Sequence, residues 1–127
     1  MKTLITDVTD FHRACDLPVQ TQPRFVPERA ALRSALLAEE CQETVEALER
    51  GDMEKIADGL ADVIYVAVGA ALEFGIPLDL VWAEVHRSNM AKVDQATGKV
   101  VKRADGKVLK PEGWTPPDVA GVLAGRG

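Results

Sequence analysis

Little in this sequence points to a disulfide scaffold, a membrane or a nucleic acid. Only two cysteines occur, Cys15 and Cys41. Both fall in helical surroundings without ligand-like spacing and read as free thiols in packed positions. With no signal peptide at the N-terminus, the expected compartment is cytoplasmic. The longest charge-free stretch, Val63 to Leu72, is half the roughly 20 residues a bilayer requires, so no membrane span is expected. A net charge of −5 excludes a general electrostatic binder of nucleic acid, which would be basic. Walker A, GxGxxG and EF-hand patterns are missing, as is any Ser/His/Asp order with catalytic spacing. What remains, 46% apolar and 28% charged over 127 residues, is an ordinary globular composition of single-domain size.

The most informative stretch is Ile56 to Phe74, IADGLADVIYVAVGAALEF, an apolar run interrupted by Asp58 and Asp62. At about 100° per residue the two aspartates share a stripe one turn apart, with Tyr65 and Gly69 further along it. The helix is apolar on most of its circumference and is expected to be buried on most of it. A carboxylate inside such a helix costs several kcal/mol, roughly, unless cations or donors compensate it. Asp58 can instead sit at an exposed edge near the helix start, where an acid suits the dipole. Asp62, one turn deeper, needs a partner.

The preceding helix, Glu28 to Arg50, supplies candidates: Glu39, Glu40 and Glu43 form an EExxE pattern. Clustered Glu on a helix is ordinarily a solvated face, yet Glu40 falls within the apolar arc of Leu36, Leu37, Cys41, Val45 and Leu48. Gly51 stops the helix and Asp52 caps the next, so the two helices are expected to be antiparallel neighbours. Glu43 lies about as far before that turn as Asp58 and Asp62 lie after it. Carboxylates converging in a crevice without His or Cys suit Mg²⁺, with Mn²⁺ as a substitute, and through it phosphate esters or anhydrides.

The rest of the chain supports an all-α antiparallel bundle of about four main helices with a short C-terminal β-hairpin and tail. A first short helix is expected over Asp7 to Cys15, capped by Thr6 or Asp7 and anchored by Phe11; its His12 and Arg13 either meet a ligand or form a solvated face. A fourth runs from Pro77 to about Lys92, with Val81, Trp82, Val85 and Asn89 on one face and Lys92 nearby. Asn89 and Lys92 can meet metal-bound water and phosphate, or end the helix in solvent. Gly98 to Lys110 reads as a hairpin turning at Asp105-Gly106, and its Lys99, Lys102, Arg103, Lys107 and Lys110 make one basic island. That island is either a flap over triphosphate or a lysine-protected edge. The closing Gly-Arg-Gly reads as frayed. The organisation expected is one domain over 1–127, with an N-terminal helix and loop (1–27), the metal-site helices (28–92) and the basic hairpin and tail (98–127).

Together, Glu39, Glu40 and Glu43, the segment GLADVIYVAVGAALEFGI, the segment EVHRSNMAK and the tail ADGKVLKPEGW resemble the all-α nucleoside triphosphate pyrophosphohydrolases, from Phe11 to Val122. That group includes MazG, dimeric dUTPases and phosphoribosyl-ATP pyrophosphohydrolase; small MazG-like enzymes with dUTPase activity are the nearest likeness. The resemblance implies Mg²⁺-dependent cleavage of a nucleoside triphosphate to monophosphate and pyrophosphate by homodimers or dimers of dimers. It implies Glu39, Glu40, Glu43 and Asp62 as metal ligands, one glutamate, Glu39 first, as proton acceptor, and Asn89 and Lys92 near metal and phosphate. Lys92 and the hairpin basics Arg103, Lys107 and Lys110 would steady the pyrophosphate, and Tyr65 or Trp114 would stack on the base. The expected substrate is dUTP, with other non-canonical nucleotides and phosphoribosyl-ATP behind it. One departure stands out. The second motif is ordinarily ExxD, and Gly59 occupies the place of its glutamate, leaving Asp58 as the only nearby substitute. The rival reading is a dimeric nucleotide sensor that lost turnover with that glutamate.

Overall fold

The computed structural model describes residues 1–125. Helices carry the chain: α1 (Lys2–Ala14), α2 (Pro27–Arg50), α3 (Met53–Glu73), α4 (Leu78–Met90) and the short α5 (Val119–Leu123), with one two-stranded antiparallel sheet of β1 (Val93–Asp94) and β2 (Lys99–Val100). The all-α expectation with a short hairpin holds. Two compact units divide the chain, Met1–Leu78 and the residues from Asp79 on.

In the first unit α2 and α3 form a helical hairpin. Gly51 takes the left-handed conformation (φ 71°) that ends α2, and the Asp52 side chain accepts from the Lys55 N–H to cap α3. Thr44 faces Gly59 and Arg33 faces Glu73, the sequence order of an antiparallel pair. The face that α2 turns to α3 is not its apolar arc. Arg33, Thr44 and Ala47 are buried and Leu36 and Glu40 half-buried, whereas Leu37, Cys41, Val45 and Leu48 are exposed. Small and polar residues win this face because they let the helices approach closely: a Cβ at Gly59 would lie 2.4 Å from Thr44 Oγ1. Nor is α3 buried on most of its circumference, for Met53, Ala57, Leu60, Ile64 and Ala67 run along it as an exposed stripe. Cys15 and Cys41 are free thiols as expected, but exposed rather than packed.

α1 starts five residues earlier than expected, so Thr6 and Asp7 lie inside it rather than capping it. Val8 and His12 are its buried residues; Phe11, the expected anchor, is half exposed and meets Tyr65 edge-on at 5.8 Å. His12 is neither ligand-facing nor solvated. Its Nδ1 donates to Pro18 O (3.1 Å) and its Nε2 accepts from Arg33 Nη2 (3.2 Å). Arg33 and Arg29 both bind Glu73, which is 0% exposed. The network thus joins α1, α2 and α3, and it needs Gly69, where a Cβ would come within 2.7 Å of Arg33 and 2.9 Å of His12.

In the second unit the tail is fastened to α4. Trp114 Nε1 donates to Ser88 O (2.7 Å), Arg87 pairs with Glu84 and reaches Pro116 O, and Glu84 accepts from the Asp118 N–H. Asp118 then caps α5 through the Gly121 N–H. The sheet lies earlier than the expected 98–110 hairpin, pairing Val93 with Val100 and Asp94 with Lys99. Around Asp105-Gly106 the expected turn is paired by the Lys102–Val108 bridge with Arg103 N–H donating to Lys107 O (2.7 Å) and Leu109 N–H to Val101 O (2.8 Å), and Asp105 accepts from the Arg103 guanidinium and the Lys107 N–H. The expected fraying falls on Arg126 and Gly127, outside the described residues.

Candidate active site

The acids come together at the turn end of the α2–α3 hairpin. Antiparallel packing sets Glu39, Glu40 and Glu43 of α2 against Asp58 and Asp62 of α3, Glu40 and Asp62 half-buried and the other three exposed. Burial pushes the Glu40 carboxyl above the usual carboxylate range, and the nearby charges of Asp62, Glu43, Glu39 and Asp58 push it the same way. A cleft of about 280 Å³ opens between the helices, lined by Glu43, Glu46, Asp58, Gly59 and Asp62, with Arg50 and Lys55 as its cations. Glu39 and Glu40 are not among its lining residues.

Tyr65, three residues beyond Asp62, borders a separate apolar cavity of about 210 Å³ with Leu4, Val8, Ile64 and Val68 between α1 and α3. The remaining candidates belong to the second unit. Lys92 Nζ donates to Asn89 Oδ1 (3.2 Å) and stands 5.5 Å from the centre of the Trp114 ring, while Lys110 stands 4.7 Å from it. Asn89, Lys92, Lys110 and Trp114 thus form one cluster. Arg103 does not join it, being held by Asp105 at 2.5 Å, and Lys107 is exposed.

Compared with family models, the chain matches phosphoribosyl-ATP pyrophosphohydrolase over residues 8–89. The chain belongs to the phosphoribosyl-ATP pyrophosphohydrolase family. This family is part of the MazG-like all-α nucleoside triphosphate pyrophosphohydrolases, as the motifs suggested, and it supports a nucleotide pyrophosphohydrolase activity. No curated protein matches. The family match takes in all five acids, Tyr65 and Asn89; Lys92, the hairpin and Trp114 lie beyond it.

For a phosphoribosyl-ATP pyrophosphohydrolase family member the donor set has the right chemistry for a hard dication, since it is oxygen throughout. As placed, no three His, Cys, Asp or Glu side chains among the described residues stand close enough together to hold a metal ion. Glu39, Glu43 and Asp58 are exposed, with side chains able to change rotamer, whereas Glu40 and Asp62 are set at the helix interface.

Three features escaped the sequence reading. Arg50 and Lys55 flank the cleft because they bracket the Gly51 turn, a position legible only once the hairpin was drawn. Glu73 was one more letter in an apolar run, although the i, i+4 pair Arg29 and Arg33 on the preceding helix was its signal. The absence of a glutamate at position 59 has a packing cause, the close contact with Thr44.

Proposed function

We propose that the protein is a Mg²⁺-dependent nucleoside triphosphate pyrophosphohydrolase releasing pyrophosphate and a nucleoside monophosphate. The observation that carries this reading is Glu40, a half-buried carboxyl on the α3-facing side of α2, raised by burial and by four other carboxylates. An enzyme keeps such a cluster for a cation; a bundle built for stability does not.

Glu39, Glu40, Glu43 and Asp62 would hold the metal, with Asp58 taking the part that Gly59 cannot. Bound magnesium would neutralise triphosphate charge and acidify a water. The exposed Glu39 accepts the proton of the attacking water, and Arg50 and Lys55 offset charge on the departing pyrophosphate at the open end of the cleft. Tyr65 and its apolar cavity offer a surface for the base. dUTP remains the first substrate to try, and the family match gives phosphoribosyl-ATP equal support. Free, exposed Cys15 and Cys41 suit a reducing cytoplasm.

The exposed stripes of α2 (Leu37, Cys41, Val45, Leu48) and α3 (Met53, Ala57, Leu60, Ile64, Ala67) favour a homodimer, the smallest assembly that covers them.

The test is pyrophosphate release from dUTP, the other deoxynucleoside triphosphates and phosphoribosyl-ATP with Mg²⁺ or Mn²⁺, beside Glu40→Gln. Turnover of one substrate, lost in the variant, is expected. Binding of nucleotide without turnover of any would replace this reading with the sensor, which the tight Thr44–Gly59 contact favours because it bars the usual glutamate.

A further inference from the structure

The cavity of about 210 Å³ that Tyr65 borders lies between α1 and α3, wholly within the first unit. Leu4, Val8, Ala61, Ile64 and Val68 make its walls apolar, and Asp7 and Tyr65 are the polar residues among those that line it. At that volume, below the usual range for a whole drug-sized ligand, it suits one flat ring system. Tyr65 is set by its edge-on contact with Phe11. The wall adjoins the acids as well, since Ala61 precedes Asp62 and Tyr65 follows it by three residues, about 60–100° round α3 and within one turn. A nucleotide with its phosphates at Asp62 has its base within reach of this wall.

Asp7 is the charged residue of the lining, and no ion pair among the described residues takes up its charge. It stands one residue before the segment that the family match covers, so the match assigns it no role. A carboxylate accepts hydrogen bonds and donates none, and beside an apolar wall it favours a ring whose edge offers N–H groups. Cytosine and adenine each present an amino group. Uracil presents one ring N–H between two carbonyl oxygens, which a carboxylate repels.

We propose that Asp7 is a specificity-determining residue, selecting nucleotides with an amino-bearing base, cytosine or adenine, against uracil, with the base lying on Tyr65 in the α1–α3 cavity. This rests on the nucleotide reading of the acid cleft and deepens it. Of the substrates left level there, phosphoribosyl-ATP, which carries adenine, stands ahead of dUTP.

The experiment compares dCTP with dUTP, whose bases differ only along the edge that Asp7 reads. Binding of their α,β-imido analogues with Mg²⁺ is measured by calorimetry for the wild type, for Asp7→Asn and for Asp10→Asn, a charge control on the same helix. The kcat/KM for dCTP and dUTP is measured beside it. Both aspartates are exposed, so neither change disturbs folding. The wild type is expected to favour the cytosine nucleotide about tenfold or more in both measurements. The amide of Asp7→Asn offers uracil a donor as well as an acceptor, so the preference is expected to shrink to about threefold or less or to invert, while Asp10→Asn keeps it. Equal binding of the two analogues by the wild type, tighter binding of the uracil analogue, or a preference unchanged in Asp7→Asn overturns the proposal. So does a preference lost equally in Asp10→Asn, or binding of neither analogue. Turnover without an Asp7-dependent preference removes this proposal and leaves the catalytic reading standing. An Asp7-dependent preference in binding, without turnover of either nucleotide, does the reverse.

Discussion

Replacing Glu73 by Gln tests the centre of the first unit. Glu73 is 0% exposed and binds Arg29 and Arg33, the latter 7% exposed and bonded onward to His12. Burial alone would push its carboxyl up; the hydrogen bonds from Arg29 and Arg33 outweigh that and hold it below the usual carboxylate range. The variant leaves two guanidinium groups against a neutral amide, and breaking a buried pair from one side costs about 3–5 kcal/mol. For a chain of this size that lowers Tm by roughly 10–20 °C. Because the folded carboxyl is held below its unfolded value of about 4.3, its contribution is complete above that pH and disappears as pH falls through the folded value. Urea unfolding followed by helical circular dichroism from pH 7 to 3 should therefore show a constant gap between wild type and variant down to about pH 5, closing at lower pH. The exposed Glu112→Gln should stay within about 0.5 kcal/mol of wild type throughout. A Glu73→Gln loss below about 1 kcal/mol at pH 7, or a gap unchanged at pH 3, would refute the argument that this network locks three helices.

Three further outcomes follow from the same geometry. In chelator, Glu40→Gln should raise Tm, since it removes the carboxyl that four neighbours oppose, and with Mg²⁺ present it should cut pyrophosphate release about a hundredfold or more; a lower Tm in chelator would mean the cluster does not repel. Gly59→Ala should cost about 1–3 kcal/mol in urea melts through its clash with Thr44, and Thr44→Ala should recover part of it; Gly59→Glu should be worse and should not improve turnover. Leu60→Asp, on the exposed stripe of α3, should convert two-chain particles to single chains in light scattering, and a wild type already monomeric would remove the homodimer.

How much of this was legible depended on which physical rule governed each residue. The α2–α3 turn was readable because Gly51 and Asp52 obey local backbone rules that need no tertiary information. So was the meeting of Glu40 with Asp62, since a short connection and a fixed rise per residue determine which levels face each other. The apolar arc of α2 misled, because hydrophobic periodicity assumes that the widest apolar face is the one covered within the chain. Here close approach at Thr44 and Gly59 chose the narrow face. His12 was opaque for a related reason: a lone histidine beside an arginine reads as solvated until a buried carboxylate two helices away is known.

The acid cluster and the Glu73 network are complementary parts of one hairpin. Asp62 and Asp58 of α3 oppose the half-buried Glu40 of α2, which pushes the two helices apart there. A helix pair held only by dispersion would relieve that charge by splaying. Here the cluster is bracketed. On one side the Gly51-Asp52 turn closes the hairpin with a capped helix start. On the other, eleven residues beyond Asp62 and so about 16 Å along α3, Glu73 ties that helix to Arg29 and Arg33 of α2 with charge of the opposite sense. Between them Gly59 and Thr44 meet with no room for a Cβ, so the helices are in close contact beside the acids. Buried Arg33 with half-buried Arg29, and half-buried Glu40, each unfavourable alone, make physical sense together. One ion network supplies the attraction that lets the other end of the same helix pair keep its carboxylates converged.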